Sequence, residues 1–285
     1  MTPGGDEGLL PAFEEALAKG QLHLVYQPNI ALADGTLARV EALMRWNDPK
    51  LGSIEPSRFI PLAEEHDCIG ALTIWGLARI LEQWRTWRDC GIHCGIAFNI
   101  SANSLENLDF PDIVEQLCKS VGVPTNCLVL ELTEGATQPL IKLMDTLTRF
   151  RIKGIGLAID DFGTGYSSLL QLRRLPFTEV KIDRAFVADA ERSKDSALIV
   201  KTVIDLAHGL GLTATAEGVE TVAQLDLLRN LGCDHAQGFL IAEPLMPDEL
   251  RPWCEGFGDY WADLTGASWS SSPVGQVEAH ALSQE

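Results

Sequence analysis

Basic residues are scarce: 22 Lys and Arg stand against 40 Asp and Glu in 285 residues, a net charge of −18, with an isoelectric point near 4.7. Proteins that bind DNA, RNA or anionic membrane surfaces neutralise phosphates with many cations, so a patch-driven partner of that kind is excluded. Paired Cys-x-x-Cys modules are missing too. The seven cysteines (Cys68, Cys90, Cys94, Cys118, Cys127, Cys233, Cys254) are odd in number and dispersed, which argues against a disulfide framework and for a reducing cytoplasm. Cys90-Gly-Ile-His93-Cys94 has a faint metal-ligand look but no second cluster. No apolar run reaches the roughly 18 residues of a membrane span, and the N-terminus lacks the basic and apolar regions of a signal peptide. A soluble, cytoplasmic chain without membrane insertion is the expectation. Large apolar residues become sparse from Gly266 onward. Residues 257–285 are therefore read as a partly disordered extension and 1–8 as a flexible N-terminus, leaving one domain over 9–256.

What is present is a single rhythm, a short apolar run followed by a longer amphipathic stretch. The runs Leu22–Tyr26, Leu37–Trp46, Gly95–Ile100, Leu128–Leu132, Gly156–Ile159, Glu179–Ile182, Leu212–Ala216 and Ala236–Leu240 read as strands. Helical patterns lie between most of them, at Pro56–His66, Thr73–Arg88, Pro111–Val121, Pro139–Phe150, Ser167–Leu172, Ser196–Gly209 and Thr221–Leu231. Pro111 and Pro139 suit first-turn positions, and Gly122, Gly211 and Gly232 suit left-handed helix ends. Repeated β–α alternation requires a parallel sheet covered by helices, and about eight strands is the number that closes a barrel. The Ala33-Asp34-Gly35 turn joins the first two runs as a hairpin, so one strand should be antiparallel.

Carboxylates and carboxamides recur at the C-terminal ends of these strands: Glu41, Asn99, Glu131, Asp160 with Asp161, Asp183, Glu217 and Gln237. In a β/α barrel those ends meet on the rim that carries the active site. Singly, each could merely cap the helix that follows. Five converging carboxylates with few cations beside them repel one another, and such a cluster persists when cations bind. Oxygen-only donors suit Mg²⁺ or Mn²⁺, whereas zinc favours His and Cys. Adjacent Asp160 and Asp161 would let one carboxylate bridge two ions, a device used in phosphodiester hydrolysis. Lys181 adds a lone cation to a strand that otherwise reads as core, which requires a carboxylate or water as its partner. A metal-dependent lyase acting on a carboxylate substrate is also compatible with the rim acids alone.

Glu41-Ala-Leu-Met-Arg45-Trp46 resembles the signature of the EAL-domain cyclic-di-GMP phosphodiesterases. Tyr26-Gln27-Pro28, Phe98-Asn99-Ile-Ser101, Glu131-Leu-Thr-Glu134, Asp160 to Ser168, Val180-Lys-Ile-Asp183, Ala216-Glu-Gly-Val-Glu220 and Gln237-Gly-Phe239 follow in the family's order. The resemblance, from about Leu9 to Trp253, implies a TIM-like (β/α)8 barrel with its first strand antiparallel, and hydrolysis of cyclic di-GMP to linear pGpG. It implies Glu41, Asn99, Glu131 and Asp160 as ligands of one Mg²⁺ or Mn²⁺ ion, with Asp160 bridging and Asp161 and Glu217 completing a second. Ca²⁺ should inhibit. Lys181, Glu217 and Glu41 would carry catalysis, with Gln27, Leu43, Arg45, Asp183 and Gln237 at substrate or water contacts. Glu134 matches the residue that anchors the mobile loop Asp161–Ser168, which in the family reaches a homodimer interface, and Glu220 would support the site. A sensor domain outside this sequence is a further implied partner. Asn47-Asp48-Pro49 and Asn29 depart from the family pattern at positions that are not ligands. An inactive cyclic-di-GMP receptor of the same fold is the alternative, and the complete ligand set counts against it. Gly4-Gly5-Asp6-Glu7 only superficially resembles a diguanylate cyclase signature and is read as part of the flexible end.

Overall fold

The computed structural model describes residues 9–133, 140–163 and 169–266. Its strands are β1 (Leu22–Ala31), β2 (Leu37–Asp48), β3 (Gly52–Ile54), β4 (Gly95–Asn99), β5 (Leu128–Thr133), β6 (Gly156–Phe162), β7 (Glu179–Ile182), β8 (Thr213–Ala216) and β9 (His235–Gln237). Its helices are α1 (Leu9–Lys19), α2 (Pro56–Glu65), α3 (Ile69–Asp89), α4 (Phe110–Val121), α5 (Leu140–Ile152), α6 (Leu169–Arg174), α7 (Arg184–Asp189), α8 (Lys194–Gly209), α9 (Val222–Asn230) and α10 (Leu250–Thr265).

From β2 through β4 to β9 the barrel strands pair parallel in chain order. β9 then meets β1, which runs antiparallel to both β9 and β2. Eight strands thus close a TIM-like barrel with an antiparallel first strand, and β3 hangs on β2 outside it. The hairpin at the closure is fixed locally. Asp34 Oδ1 accepts from the Thr36 backbone N–H at 2.9 Å, and Gly35 adopts φ 76°, a left-handed conformation that costs glycine little.

β1 runs five residues past the predicted end at Tyr26 despite Pro28. The Tyr26 N–H donates to Leu245 O on the side away from β2, and residues two apart along a strand face the same way. The ring nitrogen of Pro28 therefore faces that side too, short of the first β9 pair at Asn29–Gln237, and no ladder bond is lost. β9 stops at Gln237 rather than Leu240, because the chain turns at Gly238 against the Val219 backbone, where a Cβ would lie 2.2 Å from Val219 N and O.

The expected domain edge at 256 falls inside α10, and the helix continues to Thr265 with Phe257 and Trp261 buried. α1 was not foreseen. It packs Phe13 against Trp46, with ring centroids 5.6 Å apart, in a satellite core with Phe59 and Leu62 from α2. The proposed flexible N-terminus and the tail beyond Gly266 lie outside the described residues, as does Pro139. No helix among the described residues is long and apolar enough to cross a membrane.

The main core lies between helices and strands, which leaves the inner strand faces for a second layer. Side chains alternate across a strand, so Gln27 and Asn29, Glu41, Asn99, Glu131, Lys181 and Gln237 share the inner face. That layer is polar, and its members are largely shielded from solvent.

Candidate active site

Lys181 is central to the site. It projects inward from β7 with 1% of its surface exposed, and four carboxylates surround its Nζ. Glu131 Oε2 and Glu217 Oε1 lie at 2.7 Å, and Glu41 Oε2 and Asp160 Oδ1 at 3.3 Å. Burial alone would strip the proton from this lysine, but Glu131, Glu217, Glu41 and Asp160 outweigh it and hold the ammonium well above the ordinary lysine range.

The carboxylates divide by environment. Burial opposes ionisation of Glu41, yet Lys181 and the side-chain amides of Gln237 and Asn99 overcome it and keep the carboxyl below its usual value. Glu131, with fewer donors, is raised well above the ordinary range by burial and by the charge of Glu41. Burial likewise raises Asp160. It pushes Glu217 up to about 8 against the pull of Lys181. Asp161 rises to about 6 through burial, the neighbouring Asp160 and a carboxyl–carboxyl hydrogen bond with Asp183. Asp183 also caps α7, accepting from the Ala185 N–H at 2.8 Å. A group of acids crowded until several resist ionisation is what a cation site looks like before its ion is counted.

The donor set fits such an ion. Asp160, Asp161 and Glu217 each offer a carboxylate oxygen, all within 4.8 Å of one another. Asn99 meets Glu41, its Nδ2 donating to Glu41 Oε1 at 2.7 Å. Glu41 Oε2 accepts from Gln237 Nε2 at 2.8 Å, and the same amide donates to Gln27 Oε1 at 3.0 Å. The acceptor groups at both ends fix the orientation of these two amides. Glu41 demands a donor from Gln237, and the Ala242 carbonyl takes Gln27 Nε2 at 3.1 Å.

Beside this cluster opens a cavity of about 560 Å³ lined by Leu43, Arg45, Pro56, Ile60 and Asn99 among others. Arg45 is half-buried there, donating to the Met44 carbonyl at 2.8 Å. Leu43 and Arg45 thus stand apart from the carboxylates, on the wall of the adjoining space. Glu220 is exposed, and its backbone N–H donates to Gln224 Oε1. Glu134 and most of the segment Asp161–Ser168 lie outside the described residues. The amide relay from Ala242 through Gln27 and Gln237 to Glu41 was missed in the sequence. The Tyr-Gln-Pro and Gln-Gly-Phe blocks mark the two glutamines but give no sign that they bond to each other. Cys90 is exposed and Cys94 buried, and neither joins a ligand cluster among the described residues.

The EAL domain family profile matches residues 11–244. The chain is 38% identical over 247 residues to the cyclic di-GMP phosphodiesterase PA2567 of Pseudomonas aeruginosa, covering 86% of this chain and 42% of that protein. It is 40% identical over 244 residues to the bifunctional diguanylate cyclase/cyclic di-GMP phosphodiesterase MucR of the same organism, covering 85% and 36% respectively. This chain thus spans about two fifths of the length of these relatives. The solved structure of the PaMucR phosphodiesterase in complex with c-di-GMP superposes with a TM-score of 0.80 at 39% identity, over 85% of this chain and 99% of that one. With Glu41-Ala-Leu at the centre of its inner carboxylate layer, the chain belongs to the EAL domain family.

Proposed function

We propose that this domain hydrolyses one phosphodiester bond of cyclic di-GMP to give linear 5′-pGpG. The observation that carries the reading is the convergence of Glu41, Glu131, Asp160 and Glu217 on Lys181 at the mouth of the barrel, next to a cavity with room for a nucleotide. The naming of relatives as cyclic di-GMP phosphodiesterases supports the substrate.

Glu41, Asn99, Glu131 and Asp160 would hold one divalent ion, and Asp160, Asp161 and Glu217 the other, Mg²⁺ or Mn²⁺ by the chemistry of the donors. Bound ions of this kind supply positive charge to the attacking water and to the departing ribose oxygen.

The remaining steps fall to the chain's own groups. Lys181, kept charged by its neighbours, donates a hydrogen bond that aims the attacking oxygen at phosphorus. Glu217, 2.7 Å from Lys181, would accept the water's proton once bound ions offset its burial and keep it ionised. Arg45 offers a planar fork to a phosphate oxygen, and Leu43 an apolar contact to a base. Asp183 orients Asp161. Glu220 supports the rim, and Glu134 anchors the segment from Asp161 to Ser168 through which two copies would pair. The greater length of the relatives fits a sensor domain elsewhere in the protein, which would act in the cytoplasm.

The test is incubation of cyclic di-GMP with the protein and Mg²⁺ or Mn²⁺, followed by chromatography. Formation of pGpG by the wild type but not by Glu41→Ala supports the reading. Tight binding without product would replace it with the receptor.

A further inference from the structure

The relay that orients Glu41 does not end inside the barrel. Gln27 gives its amide N–H to the Ala242 carbonyl, and that carbonyl belongs to a segment that crosses from β9 to α10. Without this acceptor the Gln27 amide is free to turn over. Its NH₂ would then face the NH₂ of Gln237, and the bond from Gln237 to Glu41 would lose its counterpart. The Ala242 carbonyl at one end and the Glu41 carboxylate at the other thus set the polarity of the chain Ala242–Gln27–Gln237–Glu41 together.

Two side chains of α10 grip the carbonyls immediately before it. Tyr260 Oη donates to Leu240 O at 2.9 Å, and Trp253 Nε1 donates to Ile241 O at 3.3 Å. Both rings belong to one aromatic row on the helix. Trp253 stacks on Phe257 with centroids 4.4 Å apart, and Phe257 meets Tyr260 at 5.9 Å. The segment is also tied to the barrel by paired bonds between Tyr26 and Leu245, each 2.8 Å. The helix therefore holds Leu240 and Ile241 by their carbonyls, alongside the bonds of the Leu240, Ile241 and Ala242 N–H groups to the Val219 and Gly238 carbonyls, while β1 holds the far end of the segment. All of α10 lies beyond the residues matched by the family profile.

We propose that Tyr260 and Trp253 are positioning residues for the ion site, acting through the Leu240–Ala242 carbonyls and the Gln27–Gln237 relay to hold the Glu41 carboxylate in its ligating orientation. The inference rests on the reading of Glu41 as an ion ligand. Hydrogen-bond partners one layer behind a ligand commonly alter metal affinity by about 10- to 100-fold, and these residues stand further back, so an effect of roughly 3- to 10-fold is expected. A change in the path or packing of α10, imposed by whatever is attached to it, would reach the site by the same route.

The experiment reads ion binding directly, by titrating Mn²⁺ into the metal-depleted protein and following the thermal midpoint. Tyr260→Phe and Trp253→Phe keep the aromatic row and remove only the donors, and Arg251→Gln breaks the exposed Arg251–Glu255 pair on the same helix as a control. The double variant should need about 3- to 10-fold more Mn²⁺ for the half-maximal shift, the control should match the wild type, and turnover at saturating Mn²⁺ should be recovered. In a Gln27→Leu background the same two substitutions should add nothing, because the relay is already cut. An unchanged Mn²⁺ midpoint in the double variant, an equal shift in Arg251→Gln, or full additivity with Gln27→Leu would each overturn the proposal. Because the readout is ion binding, a failure of the phosphodiesterase assay with the Mn²⁺ pattern intact would overturn the activity and leave the positioning role standing.

Discussion

The backbone N–H of Asp161 donates to the carboxylate of its own neighbour, Asp160 Oδ1, at 3.0 Å. Successive residues of a regular strand point to opposite faces, so two adjacent aspartates cannot both serve one site from a regular strand. β6 escapes this by breaking register between Ile159 and Phe162 and placing Asp161 at φ 54°, in the left-handed region. The irregularity turns the second carboxylate back toward the first and toward Glu217. This is local strain at a position we propose to hold an ion, of the kind that surrounding structure must hold in place.

Asp161→Asn tests that account. Asparagine tolerates the left-handed conformation and has nearly the same shape, so the metal-depleted variant should melt at or above the wild-type temperature, relieved of a crowded charge. Its turnover should fall by roughly 100-fold or more through loss of an ion ligand. Asp161→Ala should lose activity equally and also lose about 1 kcal/mol of stability to the backbone conformation. Equal stability of the two variants in chemical denaturation would contradict the strain argument.

The contrast between strand and bulge also explains what could be read in the sequence. β4, β5 and β6 were legible because a strand buried on both faces must be an apolar run, and the rim acids were legible because each interrupts or ends one. The left-handed turn at Asp161 leaves no compositional trace, since aspartate serves equally well in a regular strand end. β3 has three residues and α7 six, too few for either periodicity to register. α10 carries Pro252, Gly256 and Gly258 within its span, residues that weaken a helical pattern, and its hold on the barrel comes from Trp261 buried behind the hairpin. The continuation of β1 through Pro28 depends on which neighbour each N–H faces, and that is settled only when the barrel closes.

Lys181→Met should separate structure from chemistry. The substitution removes the ammonium that four inward carboxylates approach within 3.3 Å. In metal-depleted protein the unpaired acids should cost about 3–5 kcal/mol or take up protons instead. Saturating Mn²⁺ should recover most of the thermal stability, because divalent charge can replace the lysine there. Turnover should stay at least about 100-fold low, because an ion does not replace the directed donor to the attacking oxygen. Recovery of both together would mean that Lys181 serves only to balance charge.

The acids raised by burial set the pH response of the metal-depleted protein. Glu217 stands near 8 and Asp161 near 6 in the fold, against 4.5 and 3.8 when unperturbed. The folded state therefore holds protons that the unfolded chain releases, and this contribution is fully present at low pH and lost as pH rises toward 8. Measured in EDTA between pH 5 and 8, the wild type should lose stability relative to Glu217→Gln, which has no proton to lose at that position. Parallel melting-temperature profiles for the two proteins would rule out the assignment.

Gly35 should be intolerant of any side chain. Its φ is 76°, and a Cβ would lie 2.5–2.7 Å from the indole ring of Trp261, which is buried beneath the β1–β2 turn and covered by the Arg229 guanidinium at 5.6 Å. Gly35→Ala combines overpacking with a strained backbone and should cost about 2–4 kcal/mol in urea unfolding.

Replacing Mg²⁺ or Mn²⁺ with Ca²⁺ should permit binding and suppress turnover. Ca²⁺ accepts six to eight oxygens at about 2.3–2.6 Å, whereas Mg²⁺ holds near-octahedral geometry at about 2.0–2.1 Å. Carboxylates and an asparagine satisfy either ion, so the thermal midpoint should rise with both. What differs is the placement of the attacking oxygen relative to Lys181, and an error of a few tenths of an ångström is costly where alignment supplies much of the rate. Product chromatography in parallel reactions decides it. A Ca²⁺ rate within about twofold of the Mg²⁺ rate would mean that the donor set stabilises charge without aligning the nucleophile, and Lys181 would lose the role assigned to it.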